Sequence, residues 1–361
     1  MGSVCWNEAE LLSDRGHDVT VFTLKYPRAF YDDAALYPFS VVRMTPIFKY
    51  GDAGEVPQLL WSLKDFDIVH LHYPFYGAAE WLYFSRKPFV LTYHMDAQTT
   101  GLKSVLQKIY DFFWPKLIFP KAKKVIVVDR THFNTARFGA KFGRENVVEI
   151  HNGVDVKTFK PMSADLSDLD LQDLEGKKII LFMSNPIPLK RLDLLLEAFS
   201  ILDDGNAALV VAGGGYDLEK YVKMAGHLGI YSRVRFVGPC PNSQLASDYY
   251  NIATCFVLPS DYESFGLVVA EAMSCGVPVV GSNIQAIKNR IDDGVDGLLF
   301  EKGSAADLAA KLKKILSMAP EQRKAMGQKG REKIVANYSW EKHMDKLEGL
   351  YREVIGQKWH V

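Results

Sequence analysis

Short apolar runs rich in β-branched residues alternate along nearly the whole chain with longer segments of helical periodicity. The alternation is typical of parallel strands joined by crossover helices, because a strand buried on both faces is apolar throughout. In the first half we expect strands at residues 18–24, 39–44, 67–72, 88–93, 124–128 and 146–150. In the second half we expect strands at 178–183, 207–212, 233–237, 254–259, 277–281 and 297–300, with helices at 190–202 and 305–317. The pattern predicts an α/β fold of two doubly wound halves.

The domain organisation follows from length and from one acidic interruption. The chain of 361 residues is long enough for two domains. Residues 156–176 lack clear periodicity and carry acidic side chains at positions 165, 168, 170, 173 and 175, so we expect a solvated linker there. We expect Rossmann-like domains at 1–155 and 177–338. Apolar residues at helical spacing in 339–361 predict a last helix that lays one face on a domain.

Composition narrows the cellular context. Lys plus Arg equals Asp plus Glu at 43 each, so no overall charge attracts nucleic acid or an anionic membrane. The four cysteines lack metal-ligand spacing, which favours a reducing compartment. The sequence shows neither a spanning apolar run nor a signal-peptide pattern. We expect a cytoplasmic protein.

The first domain departs from a complete doubly wound unit. Such a domain normally opens with a strand that becomes central in the sheet, whereas this chain opens with Gly2-Ser3 and a predicted helix that ends near Gly16. Either a native start lies upstream, or the first sheet is built without that strand. In the absence of the strand, its two neighbours either pair directly or leave backbone groups unpaired.

The strongest chemical signal lies in residues 259–279, where a strand, a helix and a second strand surround Glu263 and Glu271. A helix that starts near Ser264 has free amides at its positive end, which suit an anionic or hydroxyl-rich ligand. Those amides belong to Ser264, Phe265, Gly266 and Leu267. Glu271, seven residues after Ser264, would face the same ligand. The alternative is a surface capping box from Ser260 to Glu263, with Glu271 merely solvated.

Taken together, these residues resemble the retaining glycosyltransferases of family 4, which have the GT-B architecture of two doubly wound Rossmann-like domains facing a central cleft. Glu263 and Glu271 match the family's E-x7-E motif. The resemblance continues through residues 67–72, 92–94, 152–155, 190–199 and 293–299. It implies that the N-terminal domain binds the acceptor, that the C-terminal domain binds a UDP- or GDP-linked sugar, and that helix 339–361 packs back on the N-terminal domain.

The resemblance also implies a role for individual residues. Glu263 and the amides of residues 265–267 hold the transferred sugar, and Glu271 takes the ribose hydroxyls. Lys190 neutralises the diphosphate, and His94 lies near the reacting sugar. The expected catalytic residues are His94, Glu263 and Lys190. The expected donor-binding residues are Gly2, Ser3, Asn185, Lys190, Gly214, Glu263, Ser264, Phe265, Gly266, Leu267 and Glu271.

Two simpler readings of these residues stay open. Without the resemblance, Lys190 at a helix start would be interpreted as a solvated residue, and His94 at a strand end would be interpreted as a structural histidine.

His70 and His72 alternate on a strand, but the sequence offers them no third metal ligand. The resemblance implies transfer without a cofactor or a catalytic metal, and a same-face displacement because no nucleophile is obvious.

One departure from the family pattern concerns the diphosphate. The family usually places an arginine where this chain has Asn185, which has neither the charge nor the guanidinium fork. Two other classes of function therefore stay open. A catalytically weak sugar-nucleotide-binding or scaffold protein would share the fold, and a nicotinamide-dependent oxidoreductase would share the α/β pattern but lacks a dinucleotide fingerprint.

Residues 101–124 combine basic and aromatic side chains. Lysines at 103, 108, 116, 121, 123 and 124 are interleaved with Phe112, Phe113, Trp114 and Leu117. This composition suits peripheral contact with the inner face of an anionic membrane, or a lipid-linked acceptor. The alternative is a helix with an apolar core face and a solvated basic face. We expect the acceptor to be a glycan, a lipid-linked molecule or a small molecule. The balanced charge of the chain predicts no role for nucleic acid.

Overall fold

The structure is a computed structural model that describes residues 2–25, 37–50, 53–94, 102–135, 139, 146–215 and 217–356. The chain divides into two compact units. The first unit comprises residues 1–151 and 343–361, and the second comprises residues 152–342. Within the described residues, no helix is both long and apolar enough to cross a bilayer.

Among the described residues, the strands of the first unit form three separate groups. Its elements are α1 (Gly2–Asp14), β1 (Thr20–Leu24), β2 (Ser40–Met44), β3 (Phe48–Tyr50), β4 (Ala53–Glu55), α2 (Leu59–Ser62), β5 (Val69–Tyr73), α3 (Ala79–Phe84), β6 (Phe89–Tyr93), α4 (Leu102–Lys121), β7 (Lys124–Val127), α5 (Arg130–Thr135) and β8 (Val147–Glu149). The strands β5-β6-β7-β8 form a parallel sheet in that order, and β1 pairs in parallel with β2. The short antiparallel pair β3–β4 was not expected from the sequence.

A cavity separates the two parallel sheets of the first unit. Among the described residues, β1 pairs only with β2, and the only strand paired with β5 is β6. Side chains of α1, β1 and β5, including Cys5, Phe22 and Leu71, line a cavity of about 1300 Å³. The gap lies where a doubly wound sheet would carry its central strand. Of the two arrangements expected without that strand, the structure has the open one.

The second unit is a single parallel sheet of six strands. Its elements are β9 (Lys178–Met183), α6 (Leu192–Ile201), β10 (Ala207–Ala212), α7 (Leu218–His227), β11 (Val234–Gly238), α8 (Ser243–Ile252), β12 (Cys255–Leu258), α9 (Leu267–Ser274), β13 (Val279–Ser282), α10 (Gln285–Lys288), β14 (Gly297–Phe300), α11 (Ala305–Ser317) and α12 (Pro320–Asn337). The strand order is β11-β10-β9-β12-β13-β14. The chain therefore runs outward from β9 in one direction and outward from β12 in the other, which confirms the doubly wound fold expected for this half.

The last helix, α13 (Trp340–Ile355), belongs to the first unit from His343 onward. Its buried Met344, Leu347 and Tyr351 pack with Val90 and Ile126 of the sheet β5–β8. The spacing of its apolar residues thus corresponds to a face that covers this sheet.

Residues 156–176 differ from the solvated linker that their acidic residues suggested. They belong to the second unit and form two short 3₁₀ helices, Ser167–Leu169 and Gln172–Leu174. Phe159 and Leu171 in this segment are buried. The acidic side chains are spaced between apolar anchors, so the segment covers the unit's surface instead of joining two domains freely.

Candidate functional site

The carboxyl ends of β9 and β12 define the candidate site of the second unit. These two strands are neighbours at the point where the strand order reverses. In open α/β sheets, ligands bind outside the strand ends at such a reversal. The amide of Asp261 in the loop after β12 donates to the carbonyl of Leu189 in the loop after β9, at 2.9 Å. This bond ties the two loops together.

Lys190 and Glu263, predicted separately from the sequence, are in direct contact. The Nζ of Lys190 lies 2.5 Å from Oε1 of Glu263. The hydroxyl of Ser260 donates to the same oxygen at 2.8 Å. The two side chains are only 20% and 10% exposed, so the opposite charges offset each other in a partly buried place. The ammonium of Lys190 and the carboxylate of Glu263 are therefore adjacent. This arrangement suits a ligand in which a phosphate is next to a sugar.

Arg191 is a feature of this site that the sequence reasoning did not single out. It has a left-handed backbone, with φ of 52°, between a 3₁₀ turn (Pro188–Lys190) and α6. Its Nη1 lies 3.0 Å from Asp261 Oδ2, and its Nε lies 3.2 Å from Asp193 Oδ2. Burial opposes its charge, but these carboxylates raise the pKa of Arg191 above its usual value. The signal available in the sequence was an arginine directly after Lys190.

Asn185 lies in the same loop but contributes no charge. It is exposed, and its carbonyl accepts a hydrogen bond from the amide of Ile187 at 2.8 Å. The positive charge of this loop comes instead from Lys190 and Arg191, and Arg191 is engaged by two carboxylates.

The helix α9 begins at Leu267, three residues later than the expected start near Ser264. Gly266 is its N-cap, with φ of 77°, and a Cβ there would lie 2.9 Å from Cδ1 of Ile287. A left-handed glycine ends the preceding loop and delays the helix. Ser264 and Phe265 therefore lie in the loop. The amides of Gly266 and Leu267 lie at the helix N-terminus, where the helix supplies no acceptor.

This later start also corrects the argument for Glu271. Because Ser264 is not helical, the two residues do not share a helical face. Nor do Ser260 and Glu263 form a capping box for α9, whose cap is Gly266. The side chain of Glu271 is held instead by Tyr250 of α8, whose hydroxyl donates to Oε2 at 3.0 Å. Burial raises the pKa of Glu271 to about 7, so this carboxyl is not a solvated surface group.

Phe265 is fixed by its neighbours. Its ring is 2% exposed, and the guanidinium of Arg290 lies 4.0 Å from the ring centroid. The ring of Tyr338 meets it edge-on at 6.0 Å. Cation–π and aromatic contacts of this kind hold a loop in one position. Through these contacts of Phe265, the backbone between Glu263 and Gly266 is held in one position.

The glycines in the predicted donor set occupy two different places. Gly214 is half-buried beside Pro239, directly after Gly213, where a Cβ would lie 2.0 Å from the carbonyl oxygen of Ser184. This close approach brings the ends of β9 and β10 together. Gly2 is exposed, and both Gly2 and Ser3 lie in the first turn of α1. The side chain of Ser3 lies outside the described part of the structure.

In the first unit, His94 belongs to a buried group that we call the histidine cluster, comprising Glu8, His70, His72, His94 and His343. His94 follows β6, is 7% exposed, and its Nε2 lies 2.9 Å from Nδ1 of His72. Glu8 Oε2 lies 3.3 Å from Nε2 of His72 and 3.4 Å from Nδ1 of His70. Glu8 Oε1 lies 3.0 Å from Nε2 of His343. Sequence analysis identified His94 but missed Glu8, which lies in α1.

Glu8 controls the charges of this cluster. Burial alone would raise the pKa of Glu8, but His72, His70 and His343 hold it well below its usual value. Burial also opposes a charge on His72, yet Glu8 raises the pKa of His72 to about 10. Burial together with the charge of His72 lowers the pKa of His94 to about 2 and that of His70 to about 3. The cluster thus pairs a carboxylate with a histidinium and keeps His94 neutral.

Glu8 also supplies the third candidate ligand that the sequence did not offer to His70 and His72. One atom from each of these three residues lies within 4.8 Å of the others, a spacing that could hold a cation. However, the ring nitrogens of His70 already bond Tyr351 and Thr92, at 2.7 and 2.6 Å. Those of His72 contact Glu8 and His94. Oε2 of Glu8 is buried and has these ion-pair contacts but no hydrogen bond among the described residues.

The helix α4 exposes an unusual apolar stripe. Val105, Ile109, Phe112, Phe113 and Leu117 are between 42% and 59% exposed and lie along one side of the helix at helical spacing. Lys108 and Lys116 are exposed on the same helix, and the Nζ of Lys116 lies 3.8 Å from the ring centroid of Phe112. Ile118 and Phe119 form its buried face. Gly101 and the side chain of Lys103 lie outside the described residues.

The two units define a class of protein, the GT-B type of two Rossmann-like units. Family models match both: one described as Glycosyltransferase Family 4 matches residues 1–158, and one described as Glycosyl transferases group 1 matches residues 170–333. A D-inositol 3-phosphate glycosyltransferase of Geodermatophilus obscurus is 32% identical over 94% of this chain and 81% of its own length. One from Streptosporangium roseum is 29% identical over 98% of this chain and 88% of its own length. The chain belongs to glycosyltransferase family 4 and is a sugar-transferring enzyme.

Solved structures support the same fold. A glycosyltransferase from Rickettsia africae has a TM-score of 0.81 at 19% identity, with 99% of this chain and 95% of that chain covered. HepE of Anabaena, solved in complex with UDP, has a TM-score of 0.80 at 18% identity, with 97% of this chain and 95% of that chain covered. The GT-B fold expected from the sequence is confirmed.

Proposed function

We propose that the protein transfers a sugar from a nucleotide diphosphate donor to an acceptor hydroxyl, with retention of anomeric configuration and without a metal ion or cofactor. The observation that carries this proposal is the contact of Lys190 with Glu263 at the reversal point of the second sheet. Family membership supports the transfer of a sugar. The names of the HepE structures, which include complexes with UDP and with UDP-glucose, support the choice of nucleotide sugars as the first donors to test.

In this proposal the side chains of the second unit divide the donor between them. The ammonium of Lys190 faces the diphosphate, and Glu263 with the amides of Gly266 and Leu267 holds the sugar hydroxyls. Glu271 accepts hydrogen bonds from the ribose hydroxyls. The proposal is supported by the adjacency of Lys190 and Glu263, since the phosphate and the sugar are adjacent in the donor. Asn185 and Gly214 are placed beside the diphosphate only by the resemblance.

The proposed chemistry is a same-face displacement. The bond between the anomeric carbon and the diphosphate oxygen breaks, and a bond from the same carbon to the acceptor oxygen forms on the same face. The proton of the acceptor hydroxyl passes to the departing diphosphate. The charge that develops on that diphosphate is stabilised by Lys190, an effect that is strong in a partly buried site. Glu263 is already engaged by Lys190 and Ser260, which favours a binding role for it over that of a nucleophile.

The first acceptor to test is D-inositol 3-phosphate, because the relatives described above carry it in their names. The purified chain is incubated with UDP- and GDP-sugars and this acceptor, and nucleotide release and product are followed. Proton NMR of the product reports the anomer. We expect turnover that survives exhaustive chelation and a product with the donor's configuration. An inverted anomer, or activity restored only by added metal, would contradict the corresponding part of the proposal.

The scaffold alternative has a distinct outcome. Nucleotide binding without turnover on D-inositol 3-phosphate, on lipid-linked acceptors or by hydrolysis would favour a binding protein. Loss of turnover in Lys190→Ala, with turnover kept in Lys223→Ala, separates the site from contaminating activity. Lys223 is an exposed lysine of α7 in the same unit, so it serves as a matched control.

We also propose that α4 contacts an anionic lipid surface. The exposed stripe from Val105 to Leu117 offers apolar side chains that water does not favour, and Lys108 and Lys116 on the same helix offer positive charge. Amphipathic helices of this composition lie in the membrane interface. Each lysine near an anionic surface contributes about 1 kcal/mol. The burial of Ile118 and Phe119 against the unit leaves the stripe available on the opposite side.

Vesicle sedimentation tests this contact. The chain should sediment with vesicles that contain phosphatidylglycerol and release at high salt, and it should bind neutral phosphatidylcholine vesicles weakly. Phe112→Ser with Phe113→Ser should abolish sedimentation, whereas Ile201→Ser should not. Ile201 is an equally exposed apolar residue, at 55%, on α6 of the second unit. Equal sedimentation of all three proteins would contradict a role for α4.

A further inference from the structure

We propose that Glu8, His70 and His72 bind a divalent transition-metal ion, of which Zn²⁺ fits best, inside the first unit. The ion joins α1, which carries Glu8, to β5, which carries both histidines. Among the residues that the structure describes, no other group of three such side chains has its ligand atoms within 4.8 Å of one another. The proposal goes beyond the transfer reaction and does not depend on it, because each test measures metal binding or backbone protection.

The separations between the ligand atoms match a zinc site. Oε2 of Glu8 lies 3.3 Å from Nε2 of His72 and 3.4 Å from Nδ1 of His70. Zinc binds nitrogen and carboxylate oxygen at about 2.0–2.2 Å, so neighbouring ligand atoms of a tetrahedral site lie about 3.3–3.6 Å apart. In an octahedral site with the same bond lengths, neighbouring ligand atoms lie only about 2.8–3.1 Å apart. The two separations therefore fit a tetrahedral ion.

The carboxylate of Glu8 is the group that most clearly calls for a ligand. Its side chain is 3% exposed, and Oε2 has no hydrogen bond among the described residues, although both histidine nitrogens lie close to it. Such an oxygen is costly to bury. Ligands of one metal ion have this arrangement, because their lone pairs point at the ion and not at each other. The other oxygen, Oε1, accepts a hydrogen bond from Nε2–H of His343 at 3.0 Å, which holds the carboxylate in place.

The two histidine rings are held by the nitrogens that face away from Glu8. Nε2 of His70 lies 2.6 Å from the hydroxyl of Thr92, and Nδ1 of His72 lies 2.9 Å from Nε2 of His94. Metal-binding histidines almost always donate their second ring nitrogen to such a partner, which fixes the orientation of the ring. The supporting contacts of a metal site are thus present for both rings.

One existing contact competes with the ion. Nδ1 of His70 lies 2.7 Å from the hydroxyl of Tyr351, which gives way when that nitrogen binds metal. A neutral hydrogen bond is much weaker than a zinc–nitrogen bond, so the exchange favours the ion. At His72, zinc displaces the proton that Nε2 carries beside Glu8 into water, since a ligating imidazole is neutral.

The cavity of the first unit gives an ion access to these ligands. Glu8, His70 and His72 all line this cavity of about 1300 Å³, which leaves room for a water as the fourth ligand. Two histidines, one glutamate and one water form a known zinc ligand set. The site uses residues of the first unit only, whereas Lys190 and Glu263 belong to the second. A structural ion here is therefore consistent with transfer that needs no metal.

Zinc titration of the untagged, chelator-treated chain tests the site. We expect calorimetry to show one Zn²⁺ bound per chain. Glu8→Gln and His72→Gln should each weaken binding by more than about 100-fold, and Thr92→Val, which removes only a partner of His70, by about 10- to 100-fold. The absence of stoichiometric binding by the unmodified chain would overturn the proposal. So would an unchanged affinity in folded Glu8→Gln.

Two further variants are matched controls. Tyr351→Phe removes the hydroxyl that competes for Nδ1 of His70, so zinc binding should be kept or strengthened. His227→Gln changes an exposed histidine of α7 and should leave the affinity unchanged. Loss of binding in His227→Gln would assign the ion to a surface site and contradict the proposal.

Two measurements on the unmodified chain do not depend on the folding of a variant. Co²⁺ in place of Zn²⁺ should give the strong visible absorption of a tetrahedral ion, and the weak absorption of an octahedral ion would contradict the site. Zn²⁺ should also raise the hydrogen-exchange protection of α1 and β5 but not that of β9 in the second unit. Unchanged protection of α1 and β5 would place the ion elsewhere. Absence of sugar transfer with every donor would contradict the proposed function alone.

Discussion

The buried carboxyl of Glu271 predicts a specific dependence of stability on pH. Its folded pKa of about 7, against 4.5 for the free group, corresponds to about 3 kcal/mol at roughly 1.4 kcal/mol per pKa unit. A raised pKa means that the folded state binds the proton more tightly than the unfolded state. This contribution to stability is therefore present below about pH 4.5 and is lost as the pH rises to about 7.

Replacement of Glu271 by glutamine removes this titration and keeps the hydrogen bond with Tyr250. The difference in free energy of unfolding between Glu271→Gln and the unmodified protein should change by about 2 to 3 kcal/mol between about pH 5 and about pH 8.5, in favour of the variant. This difference is measured by urea unfolding of the second unit, monitored through hydrogen-exchange mass spectrometry of β9 and β12. Glu219→Gln on exposed α7 is the control and should show no such change. An equal difference at both pH values would refute the reasoning.

Three further predictions concern the fold around the sites. In the first, a strand of about six β-branched residues is fused through a short turn before Gly2, where it should fill the cavity of about 1300 Å³. The hydrogen-exchange protection of β1 and β5 should then rise. Unchanged protection would contradict the interpretation of the gap. Gly213→Ala should lower the melting temperature of the second unit, because a Cβ would lie 2.0 Å from the Ser184 carbonyl oxygen, whereas Gly205→Ala has open space and should be tolerated. Arg191→Leu should destabilise the second unit by up to about 1 kcal/mol in urea, since it leaves the partly exposed carboxylates of Asp261 and Asp193 without their cation; an unchanged midpoint would argue against this pairing.

The strands were accessible from the sequence because most are buried on both faces. Residues 178–183 and 207–212 were predicted with the bounds that the structure has, and their side chains are almost entirely buried. The short pair β3–β4 was missed because strands of three residues have too few positions to show an alternation. Segment 156–176 was misread because its acidic residues hid isolated apolar anchors such as Leu171.

The candidate site was only partly accessible. The resemblance to family 4 implied roles for Lys190 and Glu263, but their contact depends on the adjacency of β9 and β12, which are far apart in the chain. The predicted start of α9 was three residues too early, because the sequence does not show that Gly266 has a left-handed backbone and is the N-cap of the helix. The contacts of Glu8 with the histidines could not be predicted, because these histidines come from β5 and α13. The sequence does not reveal which elements pack on α1.

The central claim is that the loops after β9 and β12 bind a nucleotide diphosphate sugar, and calorimetry tests it most directly. Lys190→Ala should weaken the binding of both the bare nucleoside diphosphate and the nucleotide sugar by about 10- to 150-fold, since hydrogen bonds to charged groups contribute about 1.5–3 kcal/mol. Glu263→Ala should weaken nucleotide-sugar binding more than nucleotide binding, and Lys223→Ala should leave both unchanged. Affinities that are the same in the unmodified protein, Lys190→Ala and Glu263→Ala would contradict the assignment of the donor site.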